Sequence, residues 1–354
     1  FYSGEDFLIA NHDRYETGQY LRRFPAVFIG EFSMGDVSLQ GTLRAAIGEA
    51  CFLLGVESSP EVVKHLAYAP VLGNVNYDFQ RYPAISFNNN SAIGSPSYYM
   101  MKMFSDNRGD DLLKTEIETY SRPQVTFGYA GIELFDNSYV RIDGKPVTDA
   151  IVRTGGWKVN NGTLTPDANR WNYILMGDSI AHDYTFSLKV RRNKGSGQIQ
   201  LRVRDNGKEG EANDHIAVSI APGTCEFYRS SGAVKDTLRS PEPYSFESNR
   251  WYDVKVVCKD EAVSCYVDDK LVHEVVLPPL PSLVSVATLE KETNTIILKV
   301  VNTTQHEEKT ELNIKGASVK NDAEILQLTG EPLVRNTFDN PTRIVPVSKN
   351  ITFS

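Results

Sequence analysis

The hydrophobic pattern of the sequence changes once, near Leu112, and this change limits the folds that the chain can adopt. Before it, short apolar runs alternate with stretches of helical spacing, such as residues 39–54, which is typical of a repeated strand and helix. After it, apolar and polar residues alternate between frequent turn signals, as in residues 184–190, which is typical of antiparallel β-sandwiches. The sequence therefore predicts an α/β segment followed by all-β structure.

The α/β segment, residues 1–111, is predicted to contain two strand–helix units. Apolar strands are expected at 26–30 and 67–72, with helices at 39–54, where Gly55 should stop the first helix, and from Ser95 to about 106. A complete (β/α)8 barrel needs eight such units and about 250 residues. Because two parallel strands cannot bury both of their faces, we expect this segment to be part of a larger barrel.

The all-β part is predicted to contain two sandwiches. Residues 132–280 form a self-contained run of short strands that ends in a rigid Pro-Pro-Leu-Pro sequence. Residues 112–131 and 281–354 are expected to pair into a second sandwich, which this run interrupts, because the predicted hairpin 284–301 needs a partner for its apolar face. Insertions into sandwich loops are tolerated, since the two ends of a loop lie close together. The loop 336–341 is expected to fold back toward the α/β segment.

Composition restricts the classes of function. A net charge of −8 without a basic stripe argues against nucleic acid as a partner, and no apolar run approaches the ~20 residues that span a bilayer. The six histidines are isolated, so we expect no metal site. Four scattered cysteines do not make a disulfide framework. Cys258 and Cys265 fall on neighbouring predicted strands and either pair or stay as free thiols.

One carboxylate, Glu31, stands where the apolar run 26–29 stops at Gly30. The C-terminal end of a parallel strand is where catalytic groups collect in α/β barrels. An ordinary strand-end glutamate that faces water fits the same pattern. Glu49 and Glu57 lie on or after the first long helix, away from any strand end, so a structural role is expected for both.

Six motifs occur in a specific order, in the parts of the chain from 1 to 130 and from 281 to 354. They are residues 25–33, 48–57, 66–74, 85–88, 94–99 and 336–341. In this order they resemble the family 51 glycoside hydrolases, which are α-L-arabinofuranosidases. The resemblance implies the C-terminal part of a (β/α)8 catalytic barrel followed by a β-sandwich, and it places Glu31, in its Gly-Glu-Phe sequence, at the position of the catalytic nucleophile.

The resemblance also implies a gap in this chain. The acid/base glutamate of the family lies in an Asn-Glu sequence on an earlier barrel strand, and these 354 residues contain no Asn-Glu dipeptide. We therefore expect the chain to be the C-terminal portion of an enzyme. We also expect the isolated chain to be inactive, because general acid catalysis typically contributes about 10²–10⁴-fold to such reactions.

Two further residues are candidates for the substrate site. Tyr2 stands at about the distance before Glu31 of a tyrosine that, in the family, belongs to a His-x-Tyr sequence and hydrogen-bonds near the nucleophile; an ordinary loop tyrosine is the alternative. Asn74 follows the second predicted strand and is a candidate for binding sugar hydroxyls, although loop asparagines are turn formers first.

The interrupting run has a resemblance of its own. Residues 156–162 and 249–256 look like parts of concanavalin-type jelly rolls, a fold often found in sugar-binding modules. The fold class expected for the whole chain is thus α/β plus all-β, with a jelly-roll sandwich inserted into the C-terminal sandwich. Trp171, in a polar context, is predicted to be exposed and to stack on a sugar ring, whereas Trp251 opens an alternating strand and is predicted to pack inside.

The leading hypothesis is a retaining glycosidase that releases terminal α-L-arabinofuranosyl groups from arabinan or arabinoxylan, without cofactor or metal. Its partner is then an arabinose-containing plant polysaccharide or oligosaccharide. A carbohydrate-binding or scaffolding protein with a vestigial barrel is one alternative, and a related retaining glycosidase acting on xylosides or glucosides is another. A secreted or periplasmic location is favoured, and the oligomeric state stays open.

Overall fold

The computed structural model describes most of the chain and divides it into two compact units. The described residues are 2–16, 26–77, 81–122, 128–134, 138–141, 151–154, 157–160, 163–166, 172–192, 198–208, 213–221, 223–231 and 234–352. The first unit consists of Phe1–Arg122 and Leu280–Ser354, and the second unit is Pro123–Pro279. Most regular structure is β-sheet, with few helices.

The elements are numbered in chain order. The described helices are α1 (Glu5–Ala10), α2 (Leu43–Glu57) and α3 (Pro96–Asp106). The strands before the second unit are β1 (Tyr2–Ser3), β2 (Val27–Met34), β3 (Val63–Tyr68), β4 (Leu72–Asn74), β5 (Ile85–Phe87), β6 (Ala92–Gly94), β7 (Asp111–Leu113) and β8 (Ser121–Arg122). Those of the second unit are β9 (Tyr129–Leu134), β10 (Ser138–Arg141), β11 (Ile151–Thr154), β12 (Trp157–Asn160), β13 (Thr163–Pro166), β14 (Asn172–Met176), β15 (Tyr184–Arg192), β16 (Ile199–Asp205), β17 (Asp214–Ala221), β18 (Gly223–Ser231), β19 (Val234–Tyr244), β20 (Trp251–Lys259), β21 (Ala262–Val267) and β22 (Lys270–Val276). The remaining strands are β23 (Leu280–Pro281), β24 (Leu283–Glu290), β25 (Thr295–Asn302), β26 (Asp322–Gln327) and β27 (Val347–Thr352).

A three-stranded parallel sheet, in the order β1-β2-β3, organises the first unit. One face of the sheet packs on the helices through a core that includes Leu8, Phe32 and Phe52. On the other face Phe28 is 68% exposed, and Glu31 is exposed as well. Parallel sheets normally bury both faces, so this open face stands out within the described part of the chain.

The second predicted strand, 67–72, is wrong in its bounds. Pro70 divides that run, because proline has no N–H to donate to a ladder; β3 therefore ends at Tyr68 and β4 begins at Leu72. The true strand was hidden because Lys64 and His65 are both exposed and interrupt the apolar pattern.

Helix α3 starts where it was predicted, after Ser95, but α2 begins at Leu43 rather than at residue 39, and its predicted end is also wrong. The Thr42 hydroxyl accepts the N–H of Ala45 at 3.2 Å, and the Ser95 hydroxyl accepts that of Tyr98 at 3.2 Å, which are N-cap bonds. Helix α2 does not stop at Gly55 but continues to Glu57. A Cβ at Gly55 would lie 1.5 Å from the carbonyl oxygen of His12, so the glycine permits close helix packing rather than ending the helix.

Short strands join the two parts of the first unit. Strand β7 pairs with β24, and β24 forms the predicted hairpin with β25. Strand β8 pairs with β23, which sets Arg122 opposite Leu280. The side-chain amide of Asn336 donates a hydrogen bond of 2.9 Å to the carbonyl oxygen of Gly94. The loop 336–341 therefore does return to the α/β segment.

The predicted boundary at residue 131 is wrong. Strand β9 lies inside a sheet of the second unit, between β14 and β16, so residues 128–131 do not belong with 281–354. Alternation along a strand shows which side chains face a core but not which sheet the strand joins. Residues 123–127 of the predicted segment 112–131 lie outside the described residues.

The second unit consists of two seven-stranded antiparallel sheets. Their strand orders are β12-β13-β10-β15-β20-β21-β22 and β11-β14-β9-β16-β17-β18-β19. Inward-facing residues of both sheets form one buried apolar core, which includes Leu201, Phe227 and Val256. This is the two-layer arrangement of a β-sandwich.

Two predicted features of this sandwich need correction or a decision. Trp251 does not pack inside: Tyr252 enters the core with 3% exposure, while Trp251 is half-buried with the Arg191 guanidinium 4.9 Å from its ring. The strand begins one residue out of the expected phase.

Cys258 and Cys265 lie opposite Val263 and Val256 respectively, and both are buried free thiols, so they do not pair with each other.

None of the helices in the described ranges combines the length and the apolar character that a membrane crossing requires.

The sandwich core predicts the outcome of a matched leucine pair. Leu201 is fully buried, whereas Leu271 in the same unit is 53% exposed. Leu201→Ala should lower the free energy of unfolding by about 2–5 kcal/mol, because it leaves a cavity, and Leu271→Ala by no more than about 0.5 kcal/mol. Urea titrations followed by circular dichroism measure both. Equal losses in the two variants would contradict the inward assignment of Leu201.

Candidate active site

Glu31 lies on the middle strand of the parallel sheet, at a local irregularity. Strand β2 pairs with β3 as Ile29 opposite Leu66 and Phe32 opposite Tyr68, and the register shifts between these two pairs. Ile29 and Phe32 are buried, while Gly30 and Glu31 are both exposed. The irregularity therefore turns the Glu31 carboxylate to the open face, as bulges beside active sites commonly do.

A tyrosine from the neighbouring strand holds this carboxylate. The Tyr2 hydroxyl donates a hydrogen bond of 2.7 Å to Oε2 of Glu31. The pKa of Tyr2 is raised, first by burial and then by its hydrogen bond to Glu31 and the charge of Glu31. Tyr2 therefore stays a neutral donor that orients the Glu31 carboxylate through one of its two oxygens. The structure brings these two predicted residues together.

Arg81 is a third residue at this place, and no motif in the sequence indicated it. Its guanidinium carbon lies 3.8 Å from the centre of the Tyr2 ring, which is a close cation–π contact. A single arginine in a polar loop has no diagnostic spacing, and its importance depends on where β1 lies.

Glu49 occupies the opposite, helix-covered side of the sheet. It is fully buried, and its Oε1 accepts hydrogen bonds from the Met34 N–H at 2.8 Å and the Tyr68 hydroxyl at 3.1 Å. Burial raises the pKa of Glu49 to about 7, although these two hydrogen bonds oppose the shift. Glu49 therefore connects α2 to the ends of β2 and β3. Glu57 forms an ion pair with Lys299, which joins α2 to β25.

The other predicted site residues are not joined to this group. Asn74 ends β4, in the separate sheet β4-β5-β6, and its side-chain oxygen accepts the N–H of Asn76 at 3.0 Å, which is a turn-forming role. Trp171 lies outside the described residues. Among the residues that the structure describes, no three His, Cys, Asp or Glu side chains are grouped so that they could hold a metal ion.

The chain matches a protein-family model along most of its length. The family is described as the α-L-arabinofuranosidase C-terminal domain, and the match covers residues 30–354. This confirms the resemblance that the six motifs suggested.

Curated relatives carry related names and are much longer. An extracellular exo-α-L-arabinofuranosidase of Streptomyces chartreusis is 28% identical, and the match covers 95% of this chain but 42% of that protein. α-L-Arabinofuranosidase 2 of Arabidopsis thaliana is 35% identical over 32% of this chain and 16% of its own length. The chain thus spans less than half of the length of these relatives.

A solved structure shows a weak likeness. The arabinose complex of an α-L-arabinofuranosidase from Thermotoga maritima is 11% identical with a TM-score of 0.44, and the match covers 99% of this chain and 47% of that one.

The buried Glu49 predicts a particular dependence of stability on pH. Its pKa rises from 4.5 to about 7 on folding, so between these values the native chain binds more protons than the unfolded chain, and stability falls as the pH increases. Glu49→Gln keeps an oxygen acceptor for Met34 and Tyr68 and removes this titration. The loss of stability from pH 4.5 to 8 should shrink by up to about 3 kcal/mol.

Unfolding in urea at several pH values measures this difference. Glu61→Gln is the control, because the Glu61 side chain is 86% exposed. Part of the decline should remain in the Glu49 variant, since burial also raises the pKa of Glu5 to about 7. An unchanged pH slope in Glu49→Gln would contradict the assignment.

Proposed function

The chain belongs to the family of α-L-arabinofuranosidase C-terminal domains, and we propose that it is part of a retaining glycosidase with Glu31 as the nucleophile. The substrate is a terminal α-L-arabinofuranosyl group of arabinan or arabinoxylan. The observation that supports this most directly is the exposed Glu31 carboxylate on the middle parallel strand, with one oxygen bound to the Tyr2 hydroxyl at 2.7 Å.

The proposed reaction begins with the Glu31 carboxylate. Oε2 accepts from Tyr2, which fixes the orientation of the carboxylate as it attacks the anomeric carbon. A glycosyl-enzyme ester forms, and water then releases the sugar. A second carboxyl group, about 5–5.5 Å away in retaining enzymes, protonates the leaving oxygen and then deprotonates the water.

We assign this second carboxyl group to a part of the polypeptide outside the 354 residues. In this proposal β1, β2 and β3, with their helices, are strands at the end of a (β/α)8 barrel. Two observations support it. The face of the sheet that carries Glu31 also exposes 68% of Phe28, as expected for a barrel interior without its other strands. The match covers 42% of the Streptomyces relative, which leaves room for the missing strands.

We further propose that the second unit is a concanavalin-like jelly roll inserted into the C-terminal sandwich. Its two seven-stranded sheets support the first part of this proposal. The pairing of Arg122 with Leu280 supports the second, because the chain leaves and returns at neighbouring positions. Binding of sugar hydroxyls by Asn74 and stacking by Trp171 stay predictions.

Substitution of the nucleophile tests the proposal. In the protein at its full natural length, Glu31→Gln should lower kcat for an aryl α-L-arabinofuranoside on the order of 10⁴-fold, because the amide cannot form the ester intermediate. Release of the aryl group is followed by absorbance. Glu116→Gln is the control, since that side chain is 76% exposed in the same unit.

Two outcomes would count against the proposal. Activity within about tenfold of the unmodified protein, as an order-of-magnitude threshold, would exclude Glu31 as the nucleophile. Hydrolysis of aryl xylosides or glucosides, without hydrolysis of the arabinofuranoside, would leave the retaining mechanism but replace the substrate.

A further inference from the structure

We propose that Arg81 is a substrate-binding residue of the Glu31 site, which donates a guanidinium N–H to a hydroxyl oxygen of the terminal furanose. This inference rests on the proposed function and deepens it, because it assigns a specific contact to the sugar. The assignment follows from three observations: the place of Arg81, the buried nitrogen that lacks an acceptor, and the chemistry of the guanidinium.

Arg81, Tyr2 and Glu31 form a contiguous row. The guanidinium of Arg81 lies 3.8 Å from the centre of the Tyr2 ring, and the hydroxyl of that ring donates to Glu31. The cationic group therefore covers the face of the side chain that orients the proposed nucleophile. A sugar whose anomeric carbon meets Glu31 brings its ring hydroxyls into the neighbourhood of this row.

One nitrogen of Arg81 is buried without an acceptor. Its Nη1 makes no hydrogen bond with any residue that the structure describes. A buried, unpaired donor is costly, and more so when it is charged. By contrast, the guanidinium groups of Arg44 and Arg229 are paired with the carboxylates of Glu5 and Asp214.

The cation–π contact alone does not account for this arrangement. A contact between the guanidinium and the face of a ring gives the buried Nη1 no hydrogen-bond acceptor. Arg204 also has buried unpaired nitrogens, but its Nη2 donates to the Asp260 carbonyl and it lies in the second unit. Arg81 differs because its unpaired donor adjoins the side chain that holds a reactive carboxylate.

The chemistry of the group suits a neutral, hydroxyl-rich ligand beside a carboxylate. A guanidinium is charged at every working pH, and it presents its donors in a rigid fork. Sugar hydroxyl oxygens accept such bonds, which supply orientation at the reacting centre. The furanose then completes the hydrogen bonding of Arg81 when it binds.

Removal of the donors tests the contact in the protein at its full natural length. Arg81→Met keeps much of the apolar stem and removes every donor. It should lower kcat/KM for an aryl α-L-arabinofuranoside by about 10- to 100-fold, the loss expected for one hydrogen bond from a charged donor. Arg343→Met is the matched control, because it makes the same chemical change at a side chain that is 49% exposed. The Nη2 atom of Arg343 lies 3.8 Å from Oε2 of Glu331.

The three aryl arabinofuranosides that lack the 2-, 3- or 5-hydroxyl then identify the partner. If the guanidinium binds one hydroxyl, the unmodified protein and Arg81→Met should hydrolyse the substrate without that hydroxyl equally well, within about threefold. The other two substrates should keep the full loss. Arg81→Lys, which retains the charge, should show a smaller loss and serves for the same comparison if Arg81→Met lowers the melting temperature.

Each other result overturns the inference. An equal loss for all substrates would make Arg81 a positioning residue that acts only through Tyr2. No loss would remove it from the site. If the unmodified protein hydrolyses neither the parent aryl α-L-arabinofuranoside nor the three deoxygenated substrates, the proposed function fails together with this inference. That outcome differs from an equal loss for all substrates and from no loss, because in both of those the unmodified protein is active.

Discussion

The parallel pairing of β2 with β1 on one side and β3 on the other is the constraint on which the proposed site depends. It brings Tyr2 beside Glu31, although the two residues are far apart in sequence, and it allows the 2.7 Å hydrogen bond between them. A slip in the pairing would separate them, since successive side chains point to opposite faces of a sheet. The chemistry of the site is therefore a property of strand register.

The two faces of the parallel sheet β1-β2-β3 differ: one is covered by helices and the other is open. On the helix side, Phe32 stacks on Phe52 with ring centres 5.0 Å apart, and Glu49 bonds to Met34 and Tyr68. These contacts fix the strand ends. On the open side, the polar group of Glu31, Tyr2 and Arg81 lies away from the helices, where a ligand can approach. A carboxylate buried as deeply as Glu49 is poorly placed for a sugar, which is why similar residue types have different roles here.

The sequence was informative where a local pattern decides the structure. The apolar run before Gly30 predicted the start of β2, and Ser95-Pro96 predicted the start of α3. The predicted end of the first strand at residue 30 was wrong, because β2 continues to Met34 and Glu31 lies inside it. The sequence failed where tertiary contacts decide. Gly55 lies inside α2, where the carbonyl oxygen of His12 leaves no room for a Cβ. Trp251 faces outward because of its phase in the strand, and β9 joins the second unit by pairing. Arg81 is recognisable only through its contact with Tyr2.

The covalent intermediate offers the most direct test of the central claim, that Glu31 is the nucleophile. The protein at its full natural length would be incubated with an arabinofuranose-configured epoxide or aziridine, which alkylates the nucleophile of a retaining enzyme. Peptide mass spectrometry would then locate the label. The account predicts one labelled carboxylate, Glu31, and protection by free arabinose. A label on another carboxylate, with Glu31 unmodified, would contradict it.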